Sequence, residues 1–185
     1  MVFRTKISNR KEKIMIALKV YRCNESAHLP EKATRGSAGY DLKACLIEGV
    51  KVKTYNPWNK EVGVPAKKIN GTATIQVHPG YRVAVPTGLI FDIDPDHVLK
   101  IFSRSGLALK SGLMVVNGVG VVDSDYVEES FVLLYNTSDG PITITHGDRI
   151  AQAVLERNEY SEIEEISEKP AQKTERDGGL GSTGA

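Results

Sequence analysis

Four clusters of residues carry types and spacings that could do chemistry. The first is Ser103-Arg104-Ser105-Gly106, where a β-rich run gives way to helix formers. Backbone N–H groups at a helix start, a hydroxyl and a guanidinium together make an anion site. An N-cap serine beside a surface arginine fits the same four residues. The second cluster runs Asn117-Gly118-Val119-Gly120-Val121-Val122-Asp123-Ser124-Asp125-Tyr126. Two glycines ahead of two valines let the backbone approach something flat. An Asp beside apolar walls acts as general base when it reaches a water. A hairpin turn in which Asp123 and Asp125 merely cap is the plainer reading. The third is Gly147-Asp148-Arg149-Ile150-Ala151-Gln152, a turn entering a buried strand. Asp148 and Arg149 are expected to pair with each other, and Gln152 needs a partner if it is buried. The fourth, from Arg176 through Gly178-Gly179-Leu180-Gly181-Ser182-Thr183-Gly184, offers N–H groups and hydroxyls that wrap phosphate oxygens. A disordered tail has the same composition.

Strands must position these clusters, because helical periodicity is scarce. Runs rich in Val, Ile, Thr and Tyr predict strands near 14–21, 40–44, 73–77, 81–85, 89–93, 98–103, 114–116, 129–136, 142–145, 150–155 and 162–166. Turn residues separate them, as in His78-Pro79-Gly80, Asp94-Pro95-Asp96 and Ser138-Asp139-Gly140. Many short strands at regular spacing give an all-β sandwich or barrel. One short helix is predicted at Gly106–Ser111, whose Leu107, Ala108, Leu109 and Lys110 are good helix formers. The polar, lysine-rich segment 48–70, with Asn56-Pro57-Trp58-Asn59 inside it, reads as an exposed loop or a hairpin arm.

The 185 residues suit one domain with tails: a basic 1–13, a β domain over 14–173 and a Gly-rich 174–185. Lys and Arg number 24 against 23 Asp and Glu, so the basic excess of a duplex nucleic-acid binder is missing. No run approaches the ~20 apolar residues of a membrane helix. Cys23 and Cys45 have no metal-type spacing, and two cysteines suit a reducing, cytoplasmic or nuclear setting, or host cytoplasm for a viral chain.

Taken in order, the clusters resemble the trimeric dUTPases. Ala38-Gly39-Tyr40-Asp41-Leu42 is similar to the first motif of that family, and Arg104-Ser105-Gly106-Leu107-Ala108 to the second. Gly120–Tyr126, Gly147–Gln152 and Gly178–Gly184 resemble the third, fourth and fifth. The resemblance implies a jelly-roll (β-clip) barrel, a homotrimer with shared sites, and hydrolysis of dUTP to dUMP and pyrophosphate. It makes Asp123 the general base for a water attacking the α-phosphorus. It gives phosphate contacts to Arg104, Ser105, Gly106 and Gln152, and Mg²⁺, through water, to Asp41. It places uracil against Asn117, Gly120, Val121, Val122 and Phe131, with Val121 and Val122 on one side, and puts Tyr126 under the deoxyribose. The C-terminal segment becomes a lid, bringing Arg176, Leu180, Gly181 and Ser182 over the nucleotide.

The chain departs from that pattern at several points. Val127-Glu128-Glu129 stands where Arg-Gly often follows Tyr. The stretch from Leu42 to Ser103 is longer than in compact members by about twenty residues, centred on 48–70, an insertion that loop-closure entropy tolerates. A partner-binding arm presenting Trp58 and Tyr55 is the alternative to a passive loop there. Two other functions compete with the hydrolase: dCTP deamination, which shares the fold, and a nucleotide-sensing regulator that binds dUTP and a protein partner. The lid is one residue shorter than usual between Arg176 and Leu180, and Leu180 replaces the usual phenylalanine. Base–aromatic stacking is worth roughly 1–3 kcal/mol, so Leu180→Phe is expected to lower KM or raise kcat for dUTP. Steady-state kinetics of the variant check this, and unchanged constants reject it.

Overall fold

The computed structural model describes residues 16–175. Fifteen strands and one helix succeed one another there. β1 is Lys19–Arg22, β2 Tyr40–Lys43, β3 Lys51–Val52, β4 Thr54–Tyr55, β5 Val64–Pro65, β6 Lys67–Ile69, β7 Thr72–Val77 and β8 Arg82–Pro86. β9 is Leu89–Asp92, β10 His97–Phe102, α1 Ser105–Ser111, β11 Leu113–Val115, β12 Gly120–Val122, β13 Phe131–Asn136, β14 Ile142–Thr145 and β15 Arg149–Arg157. This is the all-β, jelly-roll-like class with one short helix that the sequence predicts.

Two four-stranded antiparallel sheets, ordered β12-β10-β15-β2 and β11-β13-β8-β4, carry most of the core. β14-β7-β6 adds a third sheet, while β1-β9 and β3-β5 are pairs. Period-2 alternation explains which residues turn inward. On β13, Val132, Leu134 and Asn136 are buried, whereas Phe131 and Leu133 are exposed. Leu99 and Ile101 of β10, Val83 and Val85 of β8, and Ile75 and Val77 of β7 meet in one apolar cluster. Asn136 is fully buried within it and fully bonded. Its Nδ2 donates to the carbonyls of Val77 and Gly140, both at 2.8 Å, and its Oδ1 accepts from Ser138.

Three expectations are refined or changed. Of the two readings of 48–70, the hairpin arm rather than the loop forms: β3 pairs with β5, while β4 joins β8 and β6 joins β7. Val52, Thr54 and Ala66 are buried, so the segment contributes to the core. Its tip does reach solvent, with Trp58 81% exposed, while Tyr55 bonds Glu61 Oε2 at 2.8 Å. The strand predicted at 162–166 does not form. Ile163 and Ile166 are exposed there, and no strand of the described residues pairs with them. The first strand begins at Lys19 rather than residue 14, and residues 14 and 15 lie outside the described residues. No helix among the described residues is long and apolar enough to cross a membrane.

The turn between β8 and β9 depends on Gly88. Its φ is +69°, a left-handed conformation that L side chains rarely adopt. A Cβ there would lie 2.6 Å from Ala27 Cβ and 2.8 Å from Cys45 Sγ. Gly88→Ala therefore combines backbone strain with overpacking and is expected to cost about 2–4 kcal/mol. Urea unfolding measures it, and an unchanged midpoint would show that the turn absorbs the methyl.

Candidate active site

The second sequence cluster forms a cavity wall. The turn after β11 is tight, with the Val119 N–H bonded to the Asn117 carbonyl at 2.8 Å. β12 then runs against β10, Gly120 facing Ile101 and Val122 facing Leu99. A Cβ on Gly120 would lie 3.1 Å from Ile101 Cβ, so glycine permits this approach. Between this hairpin and β13 lies a cavity of about 300 Å³, bordered by Asn117, Gly120, Val121, Val122, Asp123, Tyr126 and Phe131. The six base- and sugar-side residues singled out in the sequence, and Asp123, thus meet at one cavity. Ile101, Val115, Ser130, Val132 and Leu133 complete its walls. Sequence reasoning missed them, although strand alternation on either side of Phe131 was the available signal.

Val121 and Val122 both border the cavity, Val121 58% exposed and Val122 buried. Tyr126 closes the hairpin, its hydroxyl donating to the Glu129 carbonyl at 3.0 Å and its N–H to the Asp123 carbonyl at 3.2 Å. Asp123 is exposed, and its carboxylate has no hydrogen bond or ion pair among the described residues. It is not a turn cap.

The first and third clusters meet elsewhere. Arg104 precedes α1 without a side-chain cap, and Ser105 is the first helical residue, so neither adjacent serine caps the helix. Ser103 Oγ instead accepts the Val115 N–H at 2.8 Å. The first-turn N–H groups of Ser105 and Gly106 have no intrahelical acceptor, and a Cβ at Gly106 would meet nothing within 4 Å. Arg104 Nε pairs with Asp41 Oδ1 at 3.2 Å, and its Nη1 donates to the Arg149 carbonyl at 2.9 Å. Arg149 Nη1 reaches Asp41 Oδ2 at 3.2 Å. The expected Asp148–Arg149 pair is therefore absent; Asp148 Oδ2 accepts the Thr145 N–H at 2.8 Å. Gln152 faces Asp41 across β15 and β2 and donates to the Ser103 carbonyl at 3.2 Å. Next to this group, burial holds the His28 imidazole below its ordinary pKa, with Lys43 and His146 adding to the effect.

Two guanidiniums around one carboxylate leave this group net positive, which suits phosphate oxygens. A bare Mg²⁺ has no site at Asp41, because each carboxylate oxygen already faces an arginine. The lone pairs left over can accept from water, so Asp41 fits an outer contact to a cation already carried by phosphates. A separate acidic group, Asp94, Asp96 and His97, has ligand atoms within 4.8 Å of one another. It lies at the opposite end of β10 from Phe102.

The two halves are far apart within one chain. Val122 pairs with Leu99 and Gln152 with Phe102. Asp123 is thus four residues along β10 and two strand spacings from Gln152, roughly 16 Å. The predicted lid residues Arg176, Leu180, Gly181 and Ser182 lie outside the described residues.

Comparison with known proteins places the chain in a family. A family model described as dUTPase matches residues 68–184. A deoxyuridine 5'-triphosphate nucleotidohydrolase of Rhizobium rhizogenes is 39% identical over 157 residues, covering 84% of this chain and 85% of the relative. One from Caulobacter vibrioides is 36% identical over 172 residues, covering 92% and 95%. Among solved structures, a Staphylococcus bacteriophage 80alpha dUTPase with dUpNHpp superposes with a TM-score of 0.72 at 19% identity, over 92% of this chain and 100% of that one. A dUTPase from phage phi11 of S. aureus, described with a structural Mg(II) ion, gives 0.65 at 19% identity, over 84% and 100%. The solved structures carry the fold, and the family match with the bacterial relatives carries the assignment: this chain belongs to the dUTPase family.

Proposed function

We propose that this chain hydrolyses dUTP to dUMP and pyrophosphate in sites shared between copies of a homotrimer. The observation that carries the reading is the cavity with an unpaired Asp123 carboxylate at its edge. Hairpin backbone and the Asn117 amide hold the uracil. A narrow cavity with fixed walls leaves little space for a thymine methyl, and Tyr126 beneath the sugar leaves little for a 2′-hydroxyl. Asp123 orients a water and takes its proton as the oxygen approaches the α-phosphorus. Arg104, Ser105, Gly106 and Gln152 hold phosphate oxygens, with the charge excess at Asp41 supplying the attraction. Mg²⁺, when bound, spreads the charge of the triphosphate. Asp41 would hold it through water. Arg176 and the residues around Leu180 close over the nucleotide and exclude solvent.

The trimer is supported by geometry and by exposed surface. A phosphorus gripped by Gln152 cannot also meet a water held on Asp123 of the same chain at roughly 16 Å. Two copies are needed, one giving the hairpin and another the arginines. Cyclic assembly supplies such heterologous contacts. Met114, Val116 and Leu133 are each 40% exposed and Phe131 44%. Together with exposed Tyr160, Ile163 and Ile166 they are apolar surface that a neighbouring copy would cover.

With Mg²⁺ present, pyrophosphate release is expected from dUTP and not from dTTP, dCTP or UTP. Asp123→Asn is expected to lower kcat by roughly 10²–10⁴. Release from all four nucleotides, or full activity of Asp123→Asn, rejects the reading. The shared site has its own check. Asp123→Asn and Gln152→Ala, each inactive alone, should recover about a quarter of the sites when co-expressed, because random hybrids pair intact halves. No recovery in hybrids that do form places both residues in one chain's site.

A further inference from the structure

Among the described residues, the Ser130 hydroxyl is the one buried side-chain polar atom without a hydrogen-bond partner. The residue is only 2% exposed. Everything around that oxygen is engaged. The Ser130 N–H donates to the Leu89 carbonyl at 2.9 Å. Its carbonyl accepts from the Thr87 hydroxyl at 2.6 Å and from the Thr87 N–H at 3.3 Å. On the preceding residue, Glu129 Oε1 accepts the Gly88 N–H at 2.8 Å, and the Glu129 carbonyl accepts from Tyr126. The backbone here is pinned, and the hydroxyl alone has bonding capacity left.

Ser130 also borders the 300 Å³ cavity, between Phe131 and the hairpin. The neighbouring walls are Val115, Val122, Val132 and Leu133. A hydroxyl set unpaired into an apolar wall is unfavourable. A valine or alanine would serve better if packing were its only task. Serine has one rotatable bond between staggered positions, and its hydroxyl donates as well as accepts. Rotation about that bond moves the hydroxyl among staggered positions of a residue that borders the cavity.

We propose that Ser130 is a base-contacting, specificity-determining residue: its hydroxyl turns into the cavity and donates to a carbonyl oxygen of the bound pyrimidine. This rests on reading the cavity as the base pocket of a dUTP hydrolase. The contact is remote from the reacting phosphorus, so it strengthens ground state and transition state alike. Its loss therefore raises KM and leaves kcat unchanged.

The test compares the wild-type chain with Ser130→Ala, using dUpNHpp and inorganic tripolyphosphate as calorimetric probes, alongside dUTP kinetics and thermal unfolding. Ser130→Ala is expected to bind dUpNHpp roughly fivefold more weakly, the worth of one hydrogen bond. KM for dUTP should rise by the same factor with kcat constant. Tripolyphosphate, which has no base, should bind both proteins equally. The melting temperature should rise, because an unpaired buried hydroxyl has been removed. Stability and affinity moving in opposite directions is a result that a structural role for Ser130 does not give. Unchanged dUpNHpp affinity overturns the proposal, as does equal weakening of tripolyphosphate. If the wild-type chain binds tripolyphosphate but neither binds dUpNHpp more tightly nor releases pyrophosphate from dUTP, the hydrolase reading falls and the Ser130 role with it.

Discussion

The pairing of β10 on both edges is the constraint from which the site follows. His97–Phe102 bonds to β15 along all six residues and to β12 along three. A strand pleat fixes which residues face inward and how far along each neighbour sits. Once Leu99 faces Val122 and Phe102 faces Gln152, the hairpin cavity and the arginine group fall at different distances along the same strand. A register slip of one residue on either edge would turn Val122 or Ala153 out of the core. Burial of those side chains therefore holds the separation of the two chemical groups.

That separation has an electrostatic consequence. Asp41 sits between Arg104 and Arg149, with both oxygens occupied. Its part is to orient two guanidiniums and cancel one of their charges. Asp123, set apart from them within the chain by the sheet, has no ion pair among the described residues.

Local signals make much of this legible in the sequence. The strand Ile142–Thr145 has the bounds its sequence predicts, because β-branched alternation and turn residues on both sides leave one reading. The helix differed by one residue, and the seven cavity residues were close in sequence, most of them on one hairpin. What stayed hidden was contact over long separation. Arg149 reaches Asp41 across 108 positions, and no residue near Arg149 announces that partner better than adjacent Asp148 did. The segment 48–70 is ambiguous in sequence for another reason. β6 is Lys67–Ile69 with every residue exposed. An edge strand needs only backbone bonds to its neighbour, so a lysine-rich composition that resembles a loop also suits an edge. Ser130 has no signal of its own in the sequence, because it falls inside the predicted strand 129–136, where a single hydroxyl is ordinary.

The cavity floor is held by a joint that lies outside the motifs. Thr87 and Gly88 bond to Ser130 and Glu129. The same short turn accepts the Cys45 N–H at Pro86 and the Cys23 N–H at Gly88, which ties it to the strands on either side. Burial raises the pKa of the Cys45 thiol above the ordinary cysteine value, and this buried cysteine packs in the core. β8, which carries Pro86, is bonded to β13 on one edge and to β4 of the inserted segment on the other. The longer stretch between the first two motifs is therefore joined to the strand that backs β13, and through β13 to the cavity wall at Phe131, Val132 and Leu133.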